Sequence, residues 1–191
     1  MSWLSDLREN WRREEVRSIS RRYFVSNGFD GALTAIGIAV GAFLTGIESG
    51  FQVFMVGIGA MIGLSTSGFW SVWEIEKAEK LAELRDVEDS MLRDLEDTRL
   101  HSIKKQGRAI NAVMSGLGPA LVMVLALSPF VFTGFLSGYQ TTLVSIGIGS
   151  LLLFGFGSYM GKISGRKWYI AGTRMGLAGI FVALLNYFLP G

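Results

Sequence analysis

The sequence contains no cysteine, one histidine and three prolines in 191 residues. Without cysteine there is no disulfide and no thiolate metal centre, and nothing follows about the redox compartment. His101 has no second histidine or thiolate to support it, so zinc spacings are excluded and it reads as a surface residue. No nucleophile–base motif and no phosphate-binding glycine loop occurs. The chain is therefore expected not to be an enzyme, to carry no cofactor and to bind no nucleic acid. A further absence is one of position. No lysine or arginine lies between Tyr23 and Glu76, and none between Ala109 and Gly161.

What fills those gaps is hydrocarbon. Half of the residues are hydrophobic, and they come in blocks rather than in short amphipathic runs. Five blocks can be marked, at roughly 24–46, 51–73, 109–133, 139–161 and 168–190. Each is long enough for a bilayer, which needs about 20 apolar residues per helix. The fold class expected is an all-α integral membrane protein with five transmembrane helices. Short links, "TGIESGF" and "TGFLSGYQT", join the first span to the second and the third to the fourth as antiparallel hairpins.

All eighteen basic residues fall at Arg8 to Arg22, Lys77 to Arg108, Lys162 to Lys167, and Arg174. Basic residues are retained on the cytoplasmic side. That rule places the N-terminus, the charged stretch and the loop "GKISGRKW" inside, and the two hairpin turns and the C-terminus outside. A multi-pass protein of the cell membrane results. Arg174, six residues into the fifth run, can snorkel back to the cytoplasmic interface. The organisation is then an N-terminal segment 1–22, spans one and two in 23–73, a charged segment 74–108, and spans three to five in 109–191. In 1–22, Trp3, Leu4, Leu7 and Trp11 recur at helical spacing opposite arginines and glutamates, the pattern of an amphipathic helix lying on lipid.

Glycine pairs four apart (Gly37 and Gly41, Gly59 and Gly63, Gly157 and Gly161) each mark one helix face where another helix can come close. Pro119 and Pro129 predict kinks in the third span.

Segment 74–108 holds ten of the sixteen acids and no glycine or proline from Glu74 to Gln106, so it predicts a helix that extends the second span. Glu76, Glu79, Glu83 and Asp86 follow 3-4-3 spacing on one face, where carboxylates can chelate a hard divalent cation. The same spacing also suits a merely solvated helix, with Glu76 positioned to pair with Lys80. Leu81, Leu84, Met91, Leu92 and Leu95 form a second face suited to packing on another helix.

Asp30 is the acid that stands apart. It lies eight residues past Arg22, roughly 12 Å along a helix, inside an otherwise uncharged span. Ionisable groups so placed are functional candidates by default.

The "GFDG" opening of the first span, the acidic insertion after the second, "SGLGPALVMVLALSPF" and "AGTRMGLAGIFVALLNYF" together resemble the vacuolar iron transporter family in a short prokaryotic form. The resemblance runs from about residue 21 to the end. It implies a homodimer that exports ferrous or related divalent ions (Fe2+ or Mn2+) against protons, along a pathway between the two first spans. It matches Asp30 to the family's first-span carboxylate. Glu76 and Glu79 match the first of its cytoplasmic metal-binding glutamates, and Glu83, Asp86 and Glu88 follow. Ser26, Asn27 and Thr34 would supply further oxygens to the pathway, and Met61 is nearest to the family's second-span methionine. The second span here carries no acid, unlike the family pattern. That departure leaves open a second reading, a non-transporting membrane scaffold whose acidic helix binds a protein.

Overall fold

A computed structural model describes residues 14–91, 99–132 and 137–189. The apolar blocks become five helices, and among the described residues there is no strand. They are α1 (Glu14–Leu44), α2 (Gly50–Met91), α3 (Arg99–Leu127), α4 (Gly138–Ile163) and α5 (Trp168–Phe188). All five are long and apolar enough to cross a membrane, over 16–44, 50–87, 106–132, 138–163 and 168–188. Each overlaps one expected span; the first begins well before its apolar block and the second runs well past it. The chain is an all-α integral membrane protein.

Two boundaries differ from expectation. Residues 14–22 are the first turns of α1, continuous with the span, and the rest of the expected interfacial helix lies outside the described residues. The third span ends early as an α-helix. Pro119 is carried inside α3, whereas Pro129 falls in a 3-10 turn, Ser128–Phe132, that completes the crossing. A proline without an N–H cannot continue the α ladder. Residues 92–98 of the expected charged helix lie outside the described residues, and α2 runs on past its apolar block to Met91. Its 42 residues give about 63 Å at about 1.5 Å per residue, twice the hydrocarbon thickness.

Local chemistry sets the helix ends. Gly46 and Gly165 have φ of +69° and +66°, the left-handed backbone that ends a helix at low cost only for glycine. Just past each glycine an N–H returns to an orphaned carbonyl, Ile47 to Ala42 and Arg166 to Gly161, both at 3.0 Å. Ser137 and Gln140 form a reciprocal capping box that starts α4.

α1 and α3 form the centre of the bundle, and α2 is the least covered span. α3 runs parallel to α1 and almost against it. A Cβ on Gly118 would stand 2.5 Å from the Phe24 carbonyl oxygen, and one on Gly31 would stand 2.8 Å from the Pro119 Cα. Small residues allow this approach where lipid supplies no hydrophobic drive between helices. Gly157 and Gly161 do the same for α4 against Ala171, Gly172 and Trp168 of α5. The other two predicted pairs do not. Gly41, Gly59 and Gly63 face open space, and Gly37 has only the Asn186 side chain nearby. Spacing identifies a helix face but not what covers it.

Two apolar clusters fill the interior. One joins Ala35, Ala39 and Ala42 of α1 to Val53, Met123, Ala126, Leu127 and Phe130, with Met61 packed on its edge. The other joins Ala32, Val122 and Leu153.

Candidate functional site

Residues about 100° apart on a helix point in distinct directions, and α1 uses this to separate two polar systems. Ser26 and Asp30 are exposed on the face that the other four helices leave uncovered. Thr34 lies one turn further along, its hydroxyl donating to the Asp30 backbone carbonyl at 2.8 Å. Gly37 and Gly41 continue the same face. The Asp30 carboxylate makes no hydrogen bond or ion pair among the described residues, and Arg174, itself exposed, does not reach it.

Asn27, expected beside Asp30, points the other way. Its side-chain amide donates to the Ser115 hydroxyl, which donates to the Gly68 carbonyl at 2.8 Å. One residue thus ties α1, α3 and α2 together. Nearer the N-terminal end of α1, the buried Ser20 hydroxyl donates to Asn111 Oδ1 at 2.6 Å. Each bond satisfies a polar group that would otherwise lie unpaired in an apolar interior. Met61, the other expected pathway residue, packs on the inner cluster rather than beside Asp30.

The charged extension of α2 divides its acids. Glu76 is buried, with 1% of its surface exposed. It lies within electrostatic reach of Tyr23 on α1, as does Glu79, yet neither Glu76 oxygen accepts a hydrogen bond of ordinary geometry. The possible Glu76–Lys80 pair does not form. Lys80 pairs with Glu83 at 3.5 Å, and Lys77 pairs with Glu74 at 3.9 Å. The packed face of this helix, which includes Val72, Glu76 and Leu84, turns Glu76 inward. One turn before Glu76, the Arg108 guanidinium stacks on Trp73, 4.1 Å from the ring centre, a cation–π contact that holds α3 to α2.

Glu79, Glu83 and Asp86 are exposed, and the Glu88 side chain lies outside the described residues. Among the described residues no three His, Asp or Glu side chains of one protomer converge on a common point. The inward placement of Glu76 and Asn27 was not anticipated from the sequence. Polar residues on the third span, Asn111 and Ser115, were the signal available for Asn27.

Five membrane-crossing helices, with an ionisable group on an uncovered helix face within the apolar length, define a polytopic membrane protein. The VIT family matches residues 71–190, more than half of the chain, and the chain belongs to that family. The match takes in the acidic extension of α2 and the last three spans; α1 lies before it. The chain is also 28% identical over 172 residues to an uncharacterized protein of Methanocaldococcus jannaschii, covering 88% of this chain and 87% of that one. No solved structure matches the chain.

Proposed function

We propose that this protein transports divalent metal cations, of the Fe2+ or Mn2+ type, out of the cytoplasm in exchange for protons. Membership of the VIT family supports metal-ion transport in general. The observation that carries the finer reading is the placement of Asp30. A carboxylate inside an apolar span, on the only helix face that combines it with Ser26 and Thr34, is unsuited to lipid. A second copy bringing its own α1 against this face would join two Asp30 carboxylates. Two such groups in a low-dielectric site bind a divalent ion or share protons, which is the physical basis of exchange. Among the described residues no group of three acids forms, so in this reading a partner copy supplies the second Asp30 carboxylate.

Glu76 stands at the cytoplasmic mouth. It is a buried carboxylate beside Tyr23 with no hydrogen bond of ordinary geometry, so an arriving cation would gain there. The exposed Glu79, Glu83 and Asp86 gather ions before it. The basic loops put this end of the molecule in the cytoplasm. The test is metal uptake into proteoliposomes under a pH gradient. Asp30→Ala is expected to reduce Fe2+ and Mn2+ flux to the level of empty vesicles, and flux unchanged in that variant refutes the proposed pathway.

One observation favours the scaffold reading. Ile75 and Leu81 are exposed apolar residues on the extension of α2, where a protein partner could dock. Metal titration separates the two: absence of micromolar binding by the purified protein, with Asp30 intact, supports the scaffold.

A further inference from the structure

We propose that a groove between α1, α3 and α4 binds the headgroup of an anionic phospholipid in the leaflet at the N-terminal end of α1. The groove has a volume of about 400 Å3 and is lined by Arg17, Arg21, Phe24, Val25, Met114, Phe156 and Tyr159. That size lies in the range of small-ligand sites, about 300–1,000 Å3. It suits a phosphoglycerol group and the first part of one acyl chain rather than a whole lipid.

The chemistry changes along its length. Arg17 and Arg21 are four residues apart, on one face of α1 at its polar end. Phe24 and Val25 follow one turn deeper, opposite Phe156, and the Phe24 and Phe156 rings meet edge-on at 5.8 Å. α4 runs antiparallel to α1, so Tyr159 lies towards the polar end and Phe156 towards the apolar end. Cations and a phenol above an aromatic floor match a phosphate above a hydrocarbon chain.

Among the described residues no acid lines the groove and neither arginine makes an ion pair. Arg21 Nε is shielded from water with no hydrogen-bond partner. The one bond this guanidinium makes is a long one, from Nη2 to the Ser18 hydroxyl at 3.5 Å. A guanidinium held this way presents its planar fork to a phosphate, the geometry in which arginine binds best.

The groove opens to the outside through the exposed Arg17 and Tyr159, at the end of α1 before the covered alanine face begins. At about 100° per residue, Arg21 is about half a turn away from Asp30, so a dimer joined through the Asp30 face would not cover it. The lipid site itself stands whether or not the protein transports metal.

The full-length protein, purified in mixed micelles of phosphatidylglycerol and phosphatidylcholine at equal concentration, provides the test by native mass spectrometry. Each arginine near an anionic headgroup is worth about five-fold, so retained lipid should favour phosphatidylglycerol by about 25-fold. Arg17→Gln, a change at an exposed position, should lower that preference about five-fold, and Arg17→Gln with Arg21→Gln should bring it to parity. The paired lysine variants should keep most of it. Equal retention of the two lipids by the native protein overturns the proposal, as does a preference unchanged in Arg17→Gln. Displacement of the retained lipid by millimolar inorganic phosphate also overturns it, because the site would then read a free anion.

Discussion

On one side of α1, Ala32, Ala35 and Ala39 have no exposed surface, and Gly28 and Gly31 lie against α3 and α4. Half a turn away Ser26 and Asp30 are exposed, and Gly41 has nothing within 4 Å of where a side chain would begin. Both faces are rich in small residues, yet only one is filled within the protomer. On the covered face, small size is needed because backbone meets backbone. On the uncovered face, the same residue types leave room that no described helix fills. Small residues in a span therefore permit close approach, and only the fold reveals whether a helix takes that room.

The largest effect on folding is expected where the covered face is tightest. Gly118→Ala places a methyl group 2.5 Å from the Phe24 carbonyl and 2.9 Å from the Gly28 nitrogen. Both are backbone atoms that cannot rotate aside, so α1 and α3 must separate. Overpacking of this kind costs about 1–3 kcal/mol. Thermal unfolding in detergent should show a clear loss of Tm, and an unchanged Tm would mean that the α1–α3 seam is looser than described.

The equivalent test on the uncovered face has a different readout. A Cβ at Gly41 meets nothing within 4 Å, so the monomer is expected to fold as before in Gly41→Leu. If a second copy covers this face, the leucine holds the two first helices apart, and crosslinking or mass photometry should show loss of the dimer. A variant that remains dimeric would remove the distinction between the two faces as drawn here.

A smaller effect belongs to the polar seam. Asn27→Ala removes the donor to Ser115 but leaves the Ser115 bond to Gly68 in place. A hydrogen bond of this type is worth about 1 kcal/mol net. Metal flux should survive, because Asn27 faces away from Asp30. Loss of flux at normal stability would put Asn27 back in the pathway.

Much of this arrangement can be read from residue order. Five apolar blocks of bilayer length leave few alternatives to five helices, and the run without glycine or proline that begins at Glu74 is helical as part of α2 as far as Met91. Rotation about a helix axis is harder to read. Ser26 and Asn27 are neighbours of similar polarity, and nothing local tells which one turns inward; that depends on Ser115 lying opposite on α3. Likewise Glu76 and Glu79 share spacing and charge, but Glu76 falls on the stripe with Val72 and Leu84 that packs inward. Burial there overrides the i,i+4 pairing that Lys80 offers, and Lys80 turns to Glu83 instead.

The smallest expected change in stability is at Asp30, the residue with the greatest expected effect on transport. Its carboxylate has no partner among the described residues, so Asp30→Asn removes none of the described bonds. The unfolding temperature of the monomer should not shift measurably, whereas proton-coupled metal flux should vanish, since an amide neither binds a divalent ion as a carboxylate does nor carries a proton. A fall in Tm comparable to that of Gly118→Ala would show that Asp30 serves the packing of its own helix bundle. The two faces of α1 would then differ in degree of cover and not in what they do.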